Sequence, residues 1–217
     1  MRLFTRLFIT CLLLVSVIPG KSAEQFALAP ETYAQAEKKY GGGARLRLRE
    51  WQDLINSGQG LTELEKAEVV NKFFNRMEFV SDEKHWGVED YWATPVEFLA
   101  SLGGDCEDFS IAKYFTLKTM GVPESKLNLT YVKALQLNQH HMVMTYYPQP
   151  GGEPLVLDNL VNGILPASKR KDLLPIYTFN GSDLWLAKER GRGKLVGSSS
   201  RLSRWQEMLQ RMPVGIH

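Results

Sequence analysis

The chain has 217 residues, 44 % of them hydrophobic and 23 % charged, enough to bury a sizeable core in one domain and unlike a disordered polymer. A formal net charge of +2 makes no case for binding nucleic acid or a membrane surface. Two cysteines exclude a disulfide-stapled scaffold.

The first residues read as a secretory signal. Arg2 and Arg6 supply a positive start, Leu7 to Ile18 is an apolar run too short for a comfortable membrane span, and Gly20 and Ser22 suit cleavage after Ser22. Removing residues 1–22 takes Arg2, Arg6 and Lys21 from the 26 basic residues, leaving 23 against 24 acidic ones in 195 residues. Cys11 leaves with the signal. Cys106 is then the lone thiol of an exported protein, in a compartment that oxidises thiols, so it is either buried or used.

The expected organisation is a signal over 1–22, a loosely docked arm over 23–44, one domain over 45–187 and a basic tail over 188–217. Apolar residues from Leu46 to Ile55 recur at helical spacing, and Thr62 with Glu65 opens a second amphipathic helix as a capping box. Thr94-Pro95-Val96-Glu97 starts a short helix that Gly103-Gly104 is expected to end, and a further helix is expected from Cys106 to Met120. The pattern then alternates: Leu127–Gln136, Gln139–Tyr147 and Pro154–Leu160 predict three antiparallel strands, with a hairpin across Asn180-Gly181. Residues 188–204 are basic and rich in glycine and serine, and read as exposed. Leu202 to Met212 suggests a last amphipathic helix, docked rather than membrane-bound.

The stretch Gly103 to Thr116 carries the chemistry. It places Cys106 at a helix start, where the dipole favours thiolate, among Asp105, Glu107 and Asp108, which oppose it. A cation held by some of these acids would resolve the conflict. A helix start followed by strands bearing histidine and aspartate suggests a cysteine nucleophile, a base and an orienting acid. His140 and His141 compete for the base, since strand neighbours point to opposite faces and the pattern does not choose. Asp158 is the acid that closes the third strand.

Trp86-Gly87, Asp90 to Pro95, Gly104 to Phe109, Ile111 to Phe115, His141-Met142-Val143 and Leu157-Asp158-Asn159 resemble the bacterial transglutaminase-like cysteine proteinases, over roughly residues 45 to 185. Their periplasmic adhesin-processing members are the nearest type. The resemblance implies an α+β, papain-like fold and a triad of Cys106, His141 and Asp158. It also implies calcium (Ca2+) held by Asp105 and Glu107 with backbone oxygens. It further implies a periplasmic endopeptidase that cuts the N-terminal region of a large surface adhesin near a dialanine, releasing the adhesin and dispersing biofilm. An inner-membrane cyclic-di-GMP receptor is the implied regulator, and neither nucleic acid nor membrane insertion after signal removal is expected. Two rivals stay open: a transglutaminase with the same acyl-enzyme and an amine acceptor, and a non-catalytic periplasmic adaptor.

Overall fold

The computed structural model describes residues 25–188 and 191–216; the expected signal segment lies outside the described residues. Three helices come first: α1 (Pro30–Tyr40), α2 (Gly42–Ser57) and α3 (Glu63–Phe74). From Pro30 onward the expected arm is helical, interrupted at Gly41, whose φ of 81° an L side chain rarely adopts. Thr62 caps α3 as the sequence predicts: its Oγ1 accepts from Glu65 N, and Glu65 Oε2 accepts from Thr62 N at 2.8 Å.

A two-residue strand β1 (Glu78–Phe79) leads through the single-turn helix α4 (Asp82–His85) to α5 (Pro95–Ser101). The end of α5 differs from expectation. Leu102, not a glycine, takes the left-handed conformation, with φ 78°. The glycine pair instead forms β2 (Gly103–Gly104), parallel to β1, because a Cβ on Gly103 would lie 2.1 Å from Glu78 O. Only glycine lets the two backbones approach so closely.

The central helix α6 (Cys106–Thr119) is buried on all sides from Asp108 to Leu117. The helical layer lies on one flank, where Trp51 Nε1 donates to Thr116 Oγ1 at 2.8 Å. The sheet lies on the other. Its strands β3 (Leu127–Ala134), β4 (Gln139–Tyr146), β5 (Leu155–Leu157), β6 (Leu165–Pro166), β7 (Leu173–Phe179), β8 (Asp183–Lys188) and β9 (Gly191–Ser198) run antiparallel in the order β6-β5-β4-β3-β7-β8-β9. Met142, Met144, Leu127 and Leu129 join the main core with α6, while Val132, Val143 and Val156 form a small cluster of their own. The predicted hairpin is present, turned by the Asn180 side chain, whose Oδ1 accepts from the backbone N–H groups of Ser182 and Asp183.

The expected boundary at 187 falls inside the β8–β9 hairpin. The glycine-rich segment read as exposed supplies a strand, and the terminal helix α7 (Ser203–Gln210) buries Trp205 and Met208 completely. Stacking of Trp205 on Phe115 at 5.5 Å makes the last helix part of the core. Among the described residues no helix is long and apolar enough to cross a membrane.

Candidate active site

Cys106 is the first residue of α6, and the glycine before its acidic neighbour places it there. A Cβ on Gly104 would sit 2.0 Å from Asp108 Oδ2. Asp108 is fully buried and accepts from Ala93 N at 2.7 Å, tying the loop before α5 to the helix start. Burial, then Asp105, holds its carboxyl well above the usual range.

Helix α6, which begins at Cys106, docks on a free stretch of sheet edge. Strand β5 pairs with β4 only from Met144 to Tyr146, so the peptide groups of Met142, which face the same way, have no strand partner there. Helix α6 takes that position. Ser110 Oγ donates to Met142 O at 3.0 Å and to Cys106 O at 2.9 Å, while the Met142 N–H is directed at the cysteine sulfur.

His141 precedes Met142 and points to the opposite face, 5 % exposed. Its Nε2 lies 2.8 Å from Asp158 Oδ1, just past the end of β5. Asp158 also accepts from Leu160 N at 3.0 Å and from Arg170 Nη2 at 2.7 Å, and its backbone oxygen accepts from Asn75 Nδ2 at 2.8 Å. Burial opposes ionisation of Asp158, but these hydrogen bonds outweigh it and hold the carboxyl at about 2. An ionised carboxylate only accepts. Nε2 of His141 therefore carries the proton, and Nδ1 is the nitrogen left for another partner.

Cys106, His140 and His141 line one cleft of about 470 Å³, with Tyr131, Tyr177 and the Arg201–Arg204 segment on its walls. His140 is exposed there and stacks on Tyr131 at 5.2 Å, and among the described residues no acid forms an ion pair with it. Cys106 donates its thiol proton to Glu107 Oε2 at 3.2 Å, and no hydrogen bond joins the sulfur to His141 in this geometry. Cysteine and histidine thus share the cleft, whereas histidine and aspartate are in direct contact.

Beside the sulfur lies a knot of carboxylates. Asp82, Asp90 and Glu107 bring oxygens within 4.8 Å of one another, as do Asp82, Asp105 and Asp108, and Asp105 and Glu107 with the sulfur itself. Burial, reinforced by the neighbouring carboxylates, pushes Asp105 up to about 9 and Asp82 and Glu107 to about 7. Burial first, then Glu107 and Asp105, pushes the Cys106 thiol well above its ordinary value. Two of the buried oxygens, Asp82 Oδ1 and Asp105 Oδ1, have no hydrogen-bond partner. Orphaned hard oxygens around mutually repelling carboxylates are the donor set that a calcium ion takes, so the residues present fit one. Asp105 and Glu107 were expected to hold it; Asp82, at the start of α4, and Asp90, in the loop after it, join them, and nothing in the sequence marks either as a ligand. Arg170, in the basic run Lys169-Arg170-Lys171, and Ser110, one of several hydroxyl residues on α6, also carry no sequence signal.

Residues 24–174 match the family model described as bacterial transglutaminase-like cysteine proteinase, BTLCP. LapG of Legionella pneumophila is 44 % identical over 84 % of this chain and 96 % of its own, with a TM-score of 0.73. Its calcium-bound form has a TM-score of 0.71 at the same identity, over 83 % of this chain and 97 % of that one. Its EGTA-treated form has a TM-score of 0.74, again at 44 % identity, over 84 % and 96 %. No curated protein matches. With its α+β fold, a cysteine at the head of the central helix and a histidine–aspartate pair across the cleft, the chain belongs to the bacterial transglutaminase-like cysteine proteinase family.

Proposed function

We propose that this protein is an exported, calcium-dependent cysteine endopeptidase whose triad is Cys106, His141 and Asp158. The observation that carries the reading is the buried His141–Asp158 bond at 2.8 Å, which commits Nε2 and leaves Nδ1 for the sulfur sharing the cleft.

Asp158 fixes the imidazole tautomer and orientation, and its low pKa keeps it an acceptor throughout. His141 takes the thiol proton at Nδ1, the Cys106 thiolate attacks the peptide carbonyl, and the proton returns to the leaving amine. Water then releases the acyl group by the same steps in reverse. The backbone N–H of Cys106, at the helix start, faces the developing oxyanion. Asp82, Asp90, Asp105 and Glu107 would hold the calcium ion, which when bound supplies positive charge that offsets the acids around the thiol. Glu107 engaged in that way no longer competes for the thiol proton.

The substrate we propose is the N-terminal region of a large surface adhesin, cut near a dialanine in the periplasm. Release would disperse biofilm under control of an inner-membrane cyclic-di-GMP receptor. Support for this part comes from the family resemblance. The test is incubation with a purified adhesin fragment in calcium buffer. Cleavage that vanishes with Cys106→Ala is expected. Incorporation of a labelled amine into glutamine without hydrolysis would identify a transglutaminase instead, and no reaction of Cys106 with a thiol-directed activity probe would leave an adaptor.

A further inference from the structure

The C-terminal helix reaches the acid cluster from the far end of the chain. Arg204 Nε donates to Asp90 Oδ2 at 3.1 Å, across 114 residues. Asp90 Oδ1 is taken by Trp92 Nε1 at 3.0 Å. The same carboxylate converges with Asp82 and Glu107 to within 4.8 Å, so the guanidinium sits at the edge of the position a cation would occupy.

Arg204 is not what fastens α7. Trp205 and Met208 are fully buried, and Arg211 donates to Trp92 O at 2.6 Å while lying 4.5 Å over the Tyr91 ring. Arg204 itself is half exposed and has a second acid within reach, Glu207, at 3.1 Å from Nη1. An exposed pair of this kind adds little stability. Its position says more than its strength: Arg201, Leu202, Ser203 and Arg204 form one wall of the cleft that holds Cys106 and His141.

We propose that Arg204 is a built-in counter-ion of the acid cluster, one that competes with calcium for Asp90 and so couples calcium occupancy to the position of the C-terminal cleft wall. With the cluster empty, the guanidinium offsets part of its negative charge and draws the wall inward. A divalent ion on Asp90 repels the guanidinium, which keeps Glu207 and releases Asp90. Arg204 is thus a positioning residue, acting on the cleft through Asp90. This rests on the reading of the acid cluster as a calcium site.

The experiment is calorimetric titration of calcium into the full-length wild type and into Arg204→Gln and Arg204→Lys, at low and high salt, with hydrogen exchange followed over residues 199–204. Arg204→Gln should bind calcium about fivefold more tightly, at the low end of usual site-to-site coupling. The gain should shrink in high salt as the charges are screened. Arg204→Lys, which keeps the charge, should stay near wild type. Calcium should speed exchange in the wall of the wild type and leave that of Arg204→Gln unchanged. Unchanged or weaker binding by Arg204→Gln, with the wild type binding normally, would overturn this inference alone, since Arg204 would then be idle or a prop for Asp90. Absence of calcium binding by the wild type would overturn both this inference and the calcium reading beneath it.

Discussion

Asp158 holds His141 by Nε2 and not by Nδ1, at 2.8 Å, inside a ring of donors that keeps the carboxylate ionised. That choice of nitrogen decides which side of the imidazole can serve the cleft. It separates His141 from His140, which stacks on an aromatic ring and, among the described residues, forms no ion pair with an acid.

Cys106→Ala and His141→Ala should each abolish cleavage, by roughly 10⁴-fold or more, since the members of the proposed triad would act as a unit. His140→Ala should keep most of the rate. Initial rates on one adhesin fragment check this, and a dead His140→Ala beside an active His141→Ala would reverse the assignment.

Asp158→Asn should fold yet lose roughly 10²–10⁴ in rate, because an amide can stabilise the wrong tautomer. Its effect on stability has a defined pH window. The native carboxyl lies at about 2, below the ordinary value of 3.8, so its contribution is present above that ordinary value and lost as pH falls through about 2. The size is on the order of 2 kcal/mol. Urea titrations between pH 6 and 2 should show this loss in wild type and a flatter profile in Asp158→Asn.

Chelation by EGTA should stop proteolysis reversibly, and calcium should restore it better than magnesium, which demands a tighter octahedron. Calcium at about a hundred times its Kd should raise stability by about 2.7 kcal/mol. Asp105→Ala and Glu107→Ala should lose activity and this stabilisation together, and Asp82→Asn should weaken both. Thermal melts with and without calcium decide it: full wild-type activity in excess chelator, with no metal by elemental analysis, would leave the acids as a helix cap.

Ser110→Ala removes the hydroxyl that joins Cys106 O and Met142 O. It should cost about 1 kcal/mol of stability and about tenfold in kcat, through misplacement of the sulfur. Ser110→Thr, which keeps the hydroxyl, should recover part of the rate. Unchanged kcat in Ser110→Ala would show that packing alone places α6.

What the sequence makes legible is what lies within a few residues. The caps at Thr62 and Thr94, the hairpin at Asn180 and the acids flanking Cys106 are local chemistry, and each is where it was expected. Gly103-Gly104 misleads because glycine that ends a helix and glycine that admits a neighbouring backbone look alike in one dimension. Arg170 and Arg204 are illegible for another reason. A buried arginine and a surface one are the same letter, and only the fold brings them to Asp158 and Asp90. The terminal strand β9 hides behind glycine and serine because edge strands need little side-chain packing to pair.

The short β5 has a bearing on when the enzyme comes into being. Because it stops at Leu157, the peptide of Met142 stays open until α6 arrives to fill it. The sulfur is therefore set against the histidine strand by a contact between Ser110 and Met142, 32 residues apart, which forms only once helix and sheet have met. A chain still threading, collapsing or locally unravelled carries a cysteine and a histidine but no protease. The placing of the sulfur thus depends on the assembled helix and sheet together, and neither segment alone supplies it.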